Sequence, residues 1–210
     1  MARIRKIFYK EQTAPLFKGI NAIIIGLDYR YKEKGKSEHS DKLYNFRFEG
    51  KEKEYFEEAL AKCFSEHIQN DTYFKPDIVA VMPGHKAGYS PHLVELTKMF
   101  CAKFSLNFNE SLIKRAKECN KQHDVRQFAE KYKNTVNTME VAEDLNNKAV
   151  LVIDDICTSG MSCLEAMRAL KGRNAKRAIF LVLGLNHSRE EYAEIPEGMS
   201  ISEFMLEKGI

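Results

Sequence analysis

The chain has 210 residues, 44% of them apolar, enough for one domain with a sizeable core or for one core with an attached subdomain. Its 33 Lys and Arg against 30 Asp and Glu leave a net charge of +3, too small for the basic footprint of a dedicated DNA-binding domain, so nucleic acid is not expected as a partner. The five cysteines are odd in number and form no CxxC pair, which argues against a disulfide framework or a structural zinc site.

The opening stretch MARIRKIFYKEQ is basic but lacks the apolar segment of a signal peptide, and no apolar run approaches the ~20 residues of a membrane span. A cytoplasmic protein with reduced thiols and no membrane contact is expected. Ile23 to Tyr31 reads as a strand, and Tyr44, Phe46 and Phe48 alternate at period two, so a second strand is expected there, paired antiparallel across the charged loop KEKGKSEHSD. From Lys51 to Ile68 the apolar residues fall in the stripe of a helix, and QNDTYFKP reads as a linker. Residues 1–75 are therefore expected to form a small α+β subdomain of a strand pair and a helix.

From Asp77 onward, strands and helices alternate. DIVAVM reads as a buried strand, PGHKAGY as a turn, and Ser90-Pro91 as the cap and first turn of a helix that buries Leu93, Leu96, Phe100 and Phe104. A short strand is expected at Leu112-Ile113, and residues 114–147 are long and polar for a connection inside a compact domain. Strand Val150–Ile153, helix Ser162–Lys171 closed by Gly172, and strand Ala178–Leu183 follow, with the uniformly apolar strands of a parallel sheet covered on both faces. The fold class expected is α/β, a central, mostly parallel sheet flanked by helices, spanning residues 76–188, with 189–210 as a tail.

The chemistry is carried by VLVIDDICTSGMS, Val150 to Ser162. Ligands of open α/β sheets bind at the carboxyl ends of the strands, which is where Asp154 and Asp155 fall. Two adjacent carboxylates need a cation, a donor-rich ligand or water beside them, and ribose hydroxyls are suitable donors. The small and hydroxyl residues that follow, ahead of a helix N-terminus, favour an anion. Acids for hydroxyls and amides for phosphate together describe a sugar phosphate. An ATPase reading fails, because RYKEKGKS has Arg30 where the first glycine of a phosphate-binding loop belongs. A plain structural reading stays open, in which Ser162 caps the helix and Glu165 completes a capping box.

This stretch resembles the motif that binds 5-phosphoribosyl-1-pyrophosphate (PRPP) in the type I phosphoribosyltransferases, with Cys157 where that family usually has an aliphatic residue. The resemblance implies that Asp154 and Asp155 contact the ribose hydroxyls and that Cys157, Thr158, Ser159, Gly160, Met161 and Ser162 form the loop around the 5′-phosphate. It implies that Pro83, Gly84, His85 and Lys86 bind pyrophosphate, in a turn that with Gly88 and Tyr89 is similar to the ComF-like branch; an ordinary glycine turn is the alternative. Residues 114–133 hold seven Lys and Arg against three Asp and Glu, either a solvated face or the family's mobile loop, with Arg115, Lys117, Gln122 and Arg126 as its members. Asn186 and His187 follow the last strand and are candidates to face the acceptor.

On this resemblance the reaction expected is transfer of a phosphoribosyl group from PRPP to a nitrogenous base, a pentosyltransferase activity in nucleotide metabolism. Asp155, Lys86 and Arg115 are the catalytic candidates. Mg²⁺ is the expected cofactor, held mainly through PRPP and through Asp154 and Asp155. Residues 1–75 and the tail would form the family's variable hood over the acceptor, and a homodimer is common in the family. A non-catalytic PRPP-binding regulator or adaptor of the ComF-like kind is the alternative.

Overall fold

The computed structural model describes residues 2–8, 17–31, 35–119, 128–186 and 193–209. Strand β1 (Arg3–Phe8) is followed by β2 (Asn21–Arg30), α1 (Glu38–Glu49), α2 (Lys53–His67), β3 (Ile78–Val81) and α3 (Pro91–Phe104). Then come β4 (Ile113–Arg115), α4 (Phe128–Thr135), β5 (Met139–Val141), β6 (Ala149–Cys157), α5 (Met161–Lys171), β7 (Arg177–Asn186), β8 (Ala193–Glu194) and α6 (Ile201–Lys208). Six strands form one sheet in the order β3-β6-β7-β2-β1-β8, and β4 pairs with β5 in a separate ribbon. The pairs β3-β6, β6-β7 and β7-β2 are parallel, and among the described strands only β1 runs against the others, pairing antiparallel with β2 on one side and β8 on the other, so the sheet is mostly parallel as expected.

Strand alternation divides the core into two layers. Odd-numbered residues of β6 and β7 (Leu151, Ile153, Ile179, Leu181, Leu183) pack with Leu43, Phe46, Phe56, Leu60, Leu93, Phe100 and Phe204 of the helices α1, α2, α3 and α6. Even-numbered ones (Val150, Val152, Phe180, Val182) pack with Met161, Leu164 and Met167 of α5 and with the β4-β5 ribbon. Uniform burial along β3, β6 and β7 follows from this sandwich and accounts for their unbroken apolar sequence.

Two expectations for the first 75 residues are corrected. Tyr44, Phe46 and Phe48 lie in helix α1, whose start is fixed by the Ser37 side chain accepting from the Ser40 amide and whose end is fixed by Gly50 at φ 67°. The antiparallel partner of β2 is instead β1. Nor does the main sheet stop at residue 75: β2 pairs in parallel with β7 from Ile23 to Arg30, so the strand pair is continuous with the core. Gly26 permits this, since a Cβ there would strike the buried side chain of Leu185.

The tail helix α6 carries a full capping box between Ser200 and Glu203. Its first turn is tied to Asp71, which accepts from the Ser202 amide at 2.7 Å and from the Ser202 hydroxyl at 2.6 Å. Asp71 lies on the loop leading into the start of β3, at the end of the sheet opposite Asp154 and Asp155. No helix among the described residues is long and apolar enough to cross a membrane.

Candidate functional site

Both acids lie in the second half of strand β6, which runs four residues further than the apolar run alone suggests. Because neighbours on a strand point to opposite faces, Asp154 shares the face of α5 and Asp155 the face of α1. The adjacent carboxylates are thereby kept off a single shared partner. Asp155 Oδ2 accepts from Arg47 Nε of α1 at 2.6 Å, and its Oδ1 accepts from the Ile156 amide at 2.6 Å. Asp154 Oδ1 accepts from the Asp155 amide at 2.8 Å, and burial, followed by the neighbouring Asp155 charge, holds its carboxyl well above the ordinary carboxylate range. One acid is thus paired with an arginine, while burial disfavours the charge on the other.

The loop after β6 turns directly into α5. Gly160 serves as the helix cap at φ 79°, a left-handed conformation that glycine adopts without cost, and no side chain caps it among the described residues. The alternative reading, a capping box of Ser162 and Glu165, does not hold, because the helix already begins at Met161. Glu165 is fully buried and accepts from the Thr138 and Met139 amides, each at 3.0 Å, and from Arg168 at 2.8 Å. First-turn amides have no partner inside a helix, so the N-terminus of α5 keeps N–H groups and positive dipole available beside Thr158 and Ser162. Ser159 and Met161 are buried beneath this loop, as is Cys157, whose thiol is hydrogen-bonded to that of Cys163.

The turn after β3 lies alongside, because the Met82 amide donates to Ile153 O at 2.9 Å. The Gly84 amide donates to Gly88 O at 2.6 Å, closing a loop in which Ala87 is held left-handed at φ 53°. Pro83 is buried, His85 half-buried, and Lys86 exposed at the tip. Tyr89 leads away from it, its hydroxyl donating to Ile113 O at 2.8 Å.

Arg115, expected on a mobile loop, is the last residue of β4 and is 7% exposed. Its Nε donates to Gly84 O and its guanidinium also donates to Thr138 Oγ1, both at 2.7 Å. Burial lowers its pKa, while Cys119, Glu165 and Asp154 act in the opposite sense. As placed, Arg115 positions the turn at Gly84 instead of swinging over a ligand. The Cys119 amide adds a second stitch to His85 O at 3.0 Å. Lys117 is exposed between these two contacts, while Gln122, Arg126 and His187 lie outside the described residues. Asn186 ends β7 and pairs in register with Arg30, the last residue of β2.

Arg47 and Arg30 were not anticipated at the site. Arg30, the last residue of β2, is pulled below its ordinary value by burial and by Arg47, with Asp155 opposing. Once residues 38–49 are recognised as a helix, Arg47 falls beside Leu43 and Phe46 on the inward face, which is the signal that could have found it.

Among the described residues no group of three or more His, Cys, Asp or Glu is placed to hold a metal. The protein offers Mg²⁺ two carboxylates at most near the loop, which fits an ion that takes one or two carboxylates and completes its shell with substrate phosphates and water.

Residues 101–200 match the phosphoribosyl transferase domain, a span that includes both acids and the loop to Ser162 and begins after the 82–89 turn. No curated protein matches the chain. Among solved structures, it is similar to a purine phosphoribosyltransferase from Pyrococcus horikoshii at 17% identity, covering 70% of this chain and 80% of that one, TM-score 0.41. A hypoxanthine phosphoribosyltransferase from Staphylococcus aureus follows at 15% identity, 71% and 74% coverage, TM-score 0.44. Adenine phosphoribosyltransferase from Leishmania tarentolae stands at 12% identity, 64% and 70% coverage, TM-score 0.40. That family match spans 100 of the 210 residues, just under half of the chain.

Proposed function

We propose that the protein is a phosphoribosyltransferase that uses PRPP with Mg²⁺, transfers the phosphoribosyl group to the ring nitrogen of a base and releases pyrophosphate. The observation that carries the reading is the joint placement of Asp154, Asp155 and the uncapped N-terminus of α5 at one strand end. The carboxylates accept from the ribose hydroxyls, and the amides and hydroxyls of Thr158 to Ser162 hold the 5′-phosphate.

In the transfer, the nitrogen lone pair forms the bond to the anomeric carbon as the bond from that carbon to the pyrophosphate oxygen breaks. The electron pair leaves with pyrophosphate, and the proton shed by nitrogen passes to water. Positive charge builds on the sugar near Asp155, and negative charge builds on the leaving group beside the 82–89 turn. Lys86 and Lys117, both exposed there, face that negative charge, while Arg115 holds the turn in place from behind. Mg²⁺, when bound, supplies neutralising charge to the pyrophosphate oxygens. Most of the rate gain then comes from alignment.

Pyrophosphate release from PRPP and Mg²⁺, measured with a panel of purine and pyrimidine bases, tests the proposal. Base-dependent release is expected. PRPP binding without turnover on any base would replace the enzyme by a PRPP-binding regulator.

A further inference from the structure

The order of the strands assigns a side to each reactant. Along the carboxyl edge of the sheet, the 82–89 turn follows β3, the paired acids end β6, and Arg30 with α1 stands beyond β7 at β2. If the acids hold the pentose and the turn holds pyrophosphate, in-line displacement requires the acceptor to approach from the face opposite the leaving group. That face is the one bordered by β7, β2 and α1.

Helix α1 presents two different flanks there. One is engaged with α2: Lys42 sits 4.1 Å over the Tyr55 ring, and Phe46 packs 5.2 Å from Phe56. Arg47 marks the other flank, since it reaches Asp155. Continuing round the helix from Arg47 come Tyr44 and Phe48, 53% and 65% exposed, with ring centroids 4.7 Å apart and the Arg47 guanidinium 5.7 Å from the Phe48 ring. Two adjacent exposed rings next to the arginine that holds Asp155 form an apolar patch of the kind that marks a ligand-binding surface, and aromatic faces favour a stacked ring as occupant. Arg30 ends β2 in register with Asn186 of β7, so a second arginine stands at this rim.

We infer that Tyr44 and Phe48 form the shelf on which the acceptor ring stacks, and that Arg30 and Arg47 select a planar heterocycle bearing an oxo or carboxylate group over one bearing only amino groups. The inference rests on the phosphoribosyltransferase reading and names the acceptor class for that same site.

The 210-residue chain has no tryptophan, so Phe48→Trp installs a single reporter in it. With PRPP and Mg²⁺ present, hypoxanthine or orotate should quench it saturably and adenine and cytosine should do so more weakly. In parallel, Tyr44→Ala with Phe48→Ala should raise the acceptor KM about tenfold, the scale of losing one base-stacking platform, while PRPP affinity by calorimetry stays unchanged. PRPP binding and turnover with no quench and an unchanged acceptor KM would overturn the shelf and leave the transferase standing. A double variant that only converts a dimer to a monomer, by sedimentation, would overturn it in favour of self-association. Wild-type protein that binds no PRPP would sink both readings.

Discussion

Glu165 is the residue whose removal should be felt furthest. Its carboxylate is fully buried, takes the Thr138 and Met139 amides at 3.0 Å and is paired with Arg168 at 2.8 Å. Thr138 in turn receives Arg115, which holds Gly84 of the 82–89 turn, so one side chain on α5 supports the far wall of the site. Glu165→Ala strands two buried amides, each worth about 1–3 kcal/mol, beside an arginine that has lost its partner. The total should fall at about 3–5 kcal/mol, the scale of breaking a buried ion pair. For a chain of this size that lowers Tm by about 8–15 °C. Glu165→Gln keeps an oxygen for both amides and loses only the charge facing Arg168, which is 27% exposed, so about 1–2 kcal/mol is expected. Urea unfolding of the two variants measures the difference. Equal losses in both, or a loss under about 1 kcal/mol for alanine, would refute the assignment of those amides.

Asp154→Asn should raise Tm at neutral pH. The native carboxyl holds its proton above the unfolded value, so its contribution to stability falls as pH rises from that value through the folded one, and the amide removes the penalty. A lower Tm would contradict the burial argument. His39 provides the opposite slope. Its Nε2 meets the carbonyl of Leu183 at 2.7 Å and must donate, so Nδ1 accepts from the Tyr55 hydroxyl at 3.0 Å and the ring is neutral. Burial lowers its pKa from 6.5, so stability should be lost as pH falls from 6.5 towards the depressed folded value. His39→Gln should flatten that loss in a pH series of thermal melts, and an unchanged slope would count against it.

Strands β3, β6 and β7 were legible because they are covered on both faces, and helices α3 and α5 because their boundaries are readable, whereas α4, β5, β8 and α6 fell in stretches read as a polar connection and a tail. Ser90 caps α3 by accepting from the Leu93 amide, Pro91 opens it, and Gly172 ends α5, all as the sequence indicates. Cys63 and Cys101 were read as structural, and both are buried with thiols pushed up to about 12 by desolvation. Helix α1 was missed because half of its inward face is polar: His39 and Ser40 are buried by bonding to Leu183 O and Tyr29 O, which hides the period of Leu43 and Phe46. Its exposed rings Tyr44 and Phe48 then imitated a strand. The punctuation was present nonetheless in Ser37 and Gly50.

At the site, the paired acids and the loop to Ser162 were visible from sequence, since strand end and glycine are local signals. Arg115 was misread because a charge in a polar stretch resembles a solvated or mobile side chain until its long-range partner is known, and Gly84 lies 31 residues away; Glu165 was considered only for a local cap, while its amide partner Thr138 lies 27 residues away. Position along β6 was a signal left unused. The alternation that buries Val152 and Ile153 on opposite faces already assigns Asp154 and Asp155 to opposite sides of the sheet.

Calorimetric titration of PRPP with Mg²⁺ into the wild-type chain and into the Asp154→Asn, Asp155→Asn double variant bears most directly on the proposed site. Saturable heat from the wild type, none from the variant, and a cooperative melt for both is the predicted result. Equal binding by a folded double variant would contradict it.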